Sequence, residues 1–227
     1  MWGTVLVWNA SAAADLLRNP SFEDVPGPAI GQGILPSDFA TSAGPFLVGA
    51  DTYSNDGSFG LSPSEFGNFP GIVALDGIRF VAAAEFVGVK EAFGQQLTTP
   101  LSSQGVYRFS AGLLQSPRFP TAGGFSLILS PSISLFDPEA EVVGQLSATT
   151  AIGIWQDRSV DFVAPSGSSN LSYLILAPLA AGPDTVYIAI DRMSLVAVPE
   201  ASSFIYSGMI VLLIGLRILR HRHVMAR

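Results

Sequence analysis

The side chains best suited to chemistry are placed in a way that closes off most catalytic schemes at once. The two histidines, His221 and His223, both stand at the C-terminal end, and the chain has no cysteine. Everything before that end lacks the base of a Ser-His-Asp or Cys-His nucleophile and the His or Cys ligands of a zinc site. No disulfide framework is available either. Eighteen carboxylates remain. Two of them at a separation of roughly 5–10 Å can hydrolyse a glycosidic bond, one as acid and one as base or nucleophile. Linear sequence does not say which two would meet. Asp51, Asp56, Glu65, Asp76 and Glu85 read as loop and solubility charges. The glycine-rich stretches lack the lysine and following helix of a phosphate-binding loop. The expectation is a protein that is not an enzyme.

The elements that would carry these residues are strands. Apolar and polar residues alternate between Gly, Pro, Ser and Asn punctuation, the pattern of half-buried strands. It recurs at Gly105–Leu113, Phe125–Leu129, Ser132–Phe136, Ser159–Val163, Leu171–Leu176 and Thr185–Asp191. No stretch between residues 15 and 200 keeps a 3.6-residue period for three turns. Ala82–Phe93 comes nearest, and its β-branched and glycine content favours strand. Gly (23) and Pro (16) are abundant and only 13% of residues are charged, which suits short strands and tight turns. The expected fold is all-β, an antiparallel sandwich over residues 15–197.

Charge divides the chain. Residues 1–200 hold all eighteen acids against seven Lys or Arg, a net −11, while residues 201–227 hold four Arg and no acid. So acidic a body excludes nucleic acid as a partner, since neutralising phosphates takes clustered Lys and Arg. The arginines instead flank an apolar run. Residues 202–219 just reach the ~17–25 needed for one transmembrane helix. Arg217 can snorkel to headgroups, and Arg220 and Arg222 belong to a basic tail, 220–227. The positive-inside rule keeps that tail cytoplasmic and places the body outside the cytoplasmic membrane. At the other end, Met1–Trp8 is apolar and Ala10–Ala14 offers small-residue cleavage sites, so residues 1–14 read as the remnant of a signal peptide.

Two resemblances follow. Val198-Pro199-Glu200, then the apolar run, then the Arg-rich end resemble the PEP-CTERM sorting signal of Gram-negative bacteria, with Ala201 where a second Pro is usual. That resemblance implies an exosortase-like processing enzyme as partner and release to the surface. In the body, Asn19-Pro20-Ser21-Phe22-Glu23 is similar to the phrase that opens the first strand of galactose-binding-like jelly rolls, the fold of many carbohydrate-binding modules. Gly94–Leu101 with Gly105–Ser110 looks like their central hairpin. Trp155–Phe162 looks like their late Trp-containing strand, and Ile190–Leu195 like the last strand. The resemblance implies a jelly roll that binds polysaccharide.

On a jelly roll the first and last strands lie side by side, which would bring Glu23 and Asp191 together. Asp191 shares strand parity with Met193 and Leu195, so its carboxylate should face inward, where it needs a partner. Several jelly-roll binding modules hold a structural calcium there, so the resemblance implies a Ca²⁺ site on Glu23 and Asp191. For sugar, the candidates are Trp155, the one tryptophan of the body, and Tyr53 in the loop Asp51–Ser58. Carbohydrates stack on such rings where amides and carboxylates rim them.

Overall fold

The computed structural model describes residues 14–24, 32–42, 49–57, 60–63, 68–86, 89–181 and 184–199. The chain divides into Met1–Ala197 and Val198–Arg227, and the strands described all lie in the first part. They are β1 (Phe39–Thr41), β2 (Asp51–Ser54), β3 (Arg79–Phe86), β4 (Val89–Lys90), β5 (Phe93–Gln96) and β6 (Val106–Pro120). After these come β7 (Gly123–Ser130), β8 (Glu141–Leu146), β9 (Gln156–Val163), β10 (Tyr173–Ala180) and β11 (Val186–Ala197).

Two sheets result, with every ladder between strands antiparallel. One runs β1-β5-β10-β7-β8 and the other β2-β3-β11-β6-β9, with β4 folded back on β3. This is an all-β sandwich consistent with the expected jelly roll. Its inner faces are made by the alternation seen in the sequence. Leu127, Leu129, Leu174 and Leu176 from one sheet meet Phe109, Leu113, Ile188 and Ile190 from the other, all buried. The close spacing of β5 and β10 needs a residue without a side chain. A methyl at Gly94 would run into the Leu174 carbonyl and stand 2.9 Å from the Ile175 Cα.

Neither outer face is left bare. Over the first sheet, Ile133, Leu135 and Ala140 pack on Ile128, Ile175 and Ala177. Ser132–Phe136 is therefore a cover and not the strand expected: its alternation is real, but Ile133 and Leu135 face down onto a sheet that is already complete, while Phe136 is exposed. Over the second sheet a larger aromatic cluster forms, with Tyr53, Phe69, Phe80 and Tyr187 buried and Trp155 and Phe119 at its margin.

Three further expectations change. β5 lies in the first sheet and β6 in the second, so Gly94–Ser110 is a crossing between sheets and not a hairpin. Asn19–Glu23 forms a turn beside β11, where Met193 N–H donates to the Pro20 carbonyl at 3.0 Å. Phe22 adopts φ 61° there and buries its ring in the core. Finally, Asp51–Ser54 is a strand and not a loop. The expected helix at 202–219 and residues 1–13 of the expected signal remnant at 1–14 lie outside the described residues. Among the described residues no helix is long and apolar enough to cross a membrane.

Candidate functional site

The second sheet's outer face carries polar groups at one end of its aromatic cluster, and there a cavity of about 420 Å³ opens. That volume is typical of small-ligand sites. β2 supplies Asp51, β3 supplies Ala84 and Phe86, and β11 supplies Tyr187. Glu91 comes from the link between β4 and β5, and Arg118 with Phe119 from the end of β6. Asn68 closes the site from the segment before β3. Asp51 and Tyr53 alternate on a two-residue period, so both face this side of the sheet. Ala84 is the small floor that makes room, and Phe86 at the rim is exposed.

A directed chain of hydrogen bonds braces the wall. The Asn68 amide donates to the Tyr53 hydroxyl at 2.9 Å, Tyr53 and Tyr187 share a bond of 2.9 Å, and Tyr187 donates to Asp51 Oδ2 at 2.6 Å. Because Tyr187 gives its one proton to Asp51 and the Asn68 NH₂ group donates to Tyr53, Tyr53 must donate to Tyr187. Gly33 N–H reaches Asp51 Oδ1 at 2.8 Å, and Arg118 donates to the Asn68 carbonyl oxygen at 3.1 Å. Burial pushes the Tyr53 hydroxyl up to about 12 and Tyr187 well above its ordinary value, so both remain protonated donors. Burial also raises Asp51, against the bonds from Tyr187 and Gly33. Glu91 is pushed up to about 8, by burial first and then by the Asp51 charge, against the Ala84 N–H at 2.7 Å. At neutral pH the cavity thus holds a largely protonated Glu91 beside acceptors, amide donors and a guanidinium. Phe86, Phe119 and Tyr187 supply its aromatic lining.

Of the residues expected to form sites, Tyr53 lies under this cavity and is fully buried, stacked on Phe80 at 5.1 Å. Its ring is packing, and its hydroxyl belongs to the bracing chain. Trp155 sits just before β9, edge-on to Phe80 at 5.6 Å, with its indole N–H donating to the Val73 carbonyl at 2.8 Å. It caps the aromatic cluster away from the cavity lining.

Glu23 and Asp191 are brought to one loop, residues 75–79, but from different directions. β11 carries a bulge between Asp191 and Ser194, with Arg192 at φ 49°. The extra residue reverses parity. Asp191 consequently faces outward with Tyr187 and Ala189, while Met193 and Leu195 enter the core. It is fully buried all the same, because the loop covers it. Asp191 Oδ2 accepts the Leu75 and Asp76 amides at 2.7 and 2.9 Å, and Oδ1 accepts the Arg192 amide at 2.6 Å. Glu23 Oε1 accepts the Ile78 and Arg79 amides, both at 2.9 Å, and Oε2 lies 3.2 Å from the Arg79 guanidinium. These donors stand where a hard-oxygen shell would place a cation. Among the described residues no group of three or more His, Cys, Asp or Glu side chains converges.

Val198 and Pro199 follow β11 in irregular structure. Glu200, Arg217, Arg220 and Arg222 lie outside the described residues. Glu91, Asn68 and Arg118 carry no signal of this site in the sequence, and Asp51 reads there as a solubility charge. Only the Asp51-x-Tyr53 alternation signalled any of them.

No protein-family model and no curated protein matches this chain. Solved structures do. The fold is similar to the CBM22-1 xylan-binding domain from Paenibacillus barcinonensis Xyn10C, at 14% identity over 85% of this chain and 100% of that one, TM-score 0.51. It is similar also to a cyclase from Fischerella sp. TAU in complex with 4-(1H-indol-3-yl)butan-2-one, at 14% identity over 82% and 98% of the two chains, TM-score 0.52. What the chain shares with both is the β-sandwich.

Proposed function

We propose that this protein binds polysaccharide without cleaving it, in the cavity walled by Asp51, Glu91, Asn68, Arg118 and Phe119. The observation that carries the reading is the lining itself. Sugar hydroxyls need acceptors and donors side by side, and the apolar faces of the ring need aromatic edges. A wall braced by its own hydrogen bonds presents these groups with little ordering left to do on binding. The sandwich fold shared with a xylan-binding domain accords with the reading.

Affinity electrophoresis of the detergent-solubilised protein through gels containing xylan, galactan or glucan tests it. At least one polysaccharide should retard the protein, and Arg118→Ala and Phe119→Ala should each weaken the effect by roughly tenfold, about 1.4 kcal/mol. Uniform migration through every gel would sink the proposal. A second reading, acid–base cleavage of a glycan, is favoured by one observation: Asp51 and Glu91 share the cavity, and Glu91 holds its proton near neutrality. New reducing ends in the same incubations, lost in Glu91→Gln, would establish it instead.

The placement we propose is a surface or matrix component, exported and tethered by residues 202–219 with the body outside the cytoplasmic membrane. The support is the uncharged run from Ala201 to Leu216 and the four arginines after it. Val198-Pro199-Glu200 is then the processing point for an exosortase-like enzyme. The C-terminal mass of the protein recovered outside the cell is expected to end near Glu200. Intact Arg227 in the membrane fraction would reduce the tail to a simple anchor.

A further inference from the structure

Acids that solvent reaches are paired with cations in this body. Glu23, Asp38, Glu85, Asp157 and Asp161 each meet an arginine or lysine. The enclosed acids are treated differently. Asp191 has three backbone amides in place of a cation. Asp51 has the Gly33 amide and the Tyr187 hydroxyl, and Glu91 has only the Ala84 amide, on Oε2. Among the described residues no lysine or arginine pairs with Asp51 or Glu91. A carboxylate accepts about four hydrogen bonds, so both keep room for further donors.

The ladders bring these two acids to one place. Asp51 stands beside Ala82 of β3, and Glu91 N–H returns to the Ala84 carbonyl at 2.9 Å. Ala82 and Ala84 are two apart and so share the outer face, which puts the carboxylates at either end of a floor of small side chains. Their proximity is felt, since the Asp51 charge adds to burial in raising Glu91 to about 8. Two like charges in an enclosed site are both relieved by a cation between them. Arg118 does not take that place. Its side chain is exposed at the rim, donates to the Asn68 carbonyl oxygen at 3.1 Å and lies over the Phe119 ring at 5.5 Å. Water screens a charge at the rim, while the carboxylates below act through a lower dielectric.

We propose that the polysaccharide taken by this cavity carries free amino groups, with one sugar ammonium lying between Asp51 and Glu91. The inference rests on the reading of the cavity as a polysaccharide site. An ammonium brings three N–H donors to acceptors that have few. As it enters, Glu91 gives its proton to solvent and the ion pair forms. An amine that arrives neutral takes the proton from Glu91 itself and reaches the same bound state. An acetamido group suits the place less well, because it is neutral, has one N–H and turns a carbonyl oxygen toward carboxylates. Gln32, Thr185 and Arg118 also line the cavity and supply donors to the sugar hydroxyls. The exposed Phe86 ring offers a surface to the apolar face of the sugar.

The test is calorimetric titration of the full-length protein, in a non-ionic detergent at pH 6, with hexamers of β-1,4-linked glucosamine, N-acetylglucosamine and glucose. These share a backbone and differ only in the group at C2. The glucosamine hexamer is expected to bind at least tenfold more tightly than the other two. Glu91→Gln keeps the shape of the side chain, and should bring the glucosamine hexamer down to the level of the glucose hexamer. Repeating the titration in buffers of different ionisation heat should show proton release for the wild type and none for Glu91→Gln. Melting temperatures of the variants separate loss of the site from loss of the fold. Equal or tighter binding of the glucose or N-acetylglucosamine hexamer would overturn the proposal and leave the polysaccharide reading standing. Wild-type affinity in Glu91→Gln, or a heat independent of buffer, would also overturn it. An equal loss in Glu139→Gln/Glu141→Gln, on the exposed surface, would reveal plain attraction to an acidic body and overturn it too. A lysine hexapeptide bound as tightly, with the same dependence on Glu91, would move the site from sugars to peptides. Failure of all three hexamers would sink this inference alone if xylan, galactan or glucan gels still retard the protein, and both readings if they do not.

Discussion

Replacing Asp191 by alanine is expected to cost the protein on the order of 4 kcal/mol of stability, the largest effect of any single outer-face substitution. The physical reason is the number of donors that one carboxylate satisfies. Leu75, Asp76 and Arg192 each direct a backbone N–H at it, and Asp191 is fully buried. An unsatisfied buried amide costs roughly 1–3 kcal/mol. Removing the carboxylate therefore frees the loop that Trp155 and Leu75 help hold over the sheet, and it unties the bulge from beneath. The amide group of Asp191→Asn fills the space but turns a donor toward donors, so an intermediate loss is expected. Urea unfolding followed by far-UV circular dichroism measures the loss. The near-UV signal of the aromatic cluster reports whether the cover loosens first. A midpoint corresponding to less than about 0.5 kcal/mol of change would mean that water replaces the carboxylate without penalty.

Acidification should strengthen the fold between about pH 8 and pH 5, contrary to the behaviour of a body held by carboxylate ion pairs. Burial pushes Asp191 up to about 7 and Glu91 up to about 8, from ordinary values of 3.8 and 4.5. In the unfolded chain both return to those ordinary values. Across the interval between the two states the folded protein binds more protons than the unfolded one, so stability falls as pH rises. The stabilisation is complete below the unfolded values and gone once pH passes the folded ones. Each unit of displacement is worth about 1.4 kcal/mol, so the combined change from pH 5.5 to 8.5 is on the order of a few kcal/mol. Asp161, which Arg108 holds below its usual range, acts in the opposite sense only below about pH 4. Urea midpoints at pH 5.5, 7 and 8.5 decide the matter: a level or rising profile would refute it. Glu91→Gln should remove most of the slope above pH 7.

The contrast between strands and sites shows what alternation can carry. β6, β7, β9, β10 and β11 were all visible, because each buries one face and exposes or covers the other, and period two records that directly. What periodicity could not distinguish was an apolar face in a ladder from one that caps a ladder, hence Ser132–Phe136. Nor could it register a single inserted residue. The Arg192 bulge leaves no trace in the pattern, since Asp191, Met193 and Leu195 still alternate with polar neighbours. The inference that Asp191 shares their face failed on that one residue, although its burial was correctly anticipated. The cavity was illegible for a different cause. Asp51, Asn68, Glu91, Arg118 and Tyr187 come from five separated places, and the pairings of β2 and β4 with β3, of β3 with β11 and of β11 with β6 bring the strands that carry or flank them together. Long-range register is not written in local spacing.

The position of β11 has a consequence for how the molecule comes into being. The last strand of the body lies in the middle of its sheet, hydrogen-bonded to β3 on one side and to β6 on the other. Until it arrives, those two strands have no ladder between them, and Leu113 and Val81 have no Ile190 paired beside them. The N-terminal segment waits on the same event, because Leu16 N–H donates to Leu195 at 2.9 Å. Such distant pairings make for slow folding. A ribosome must release nearly the whole body before the second sheet can close.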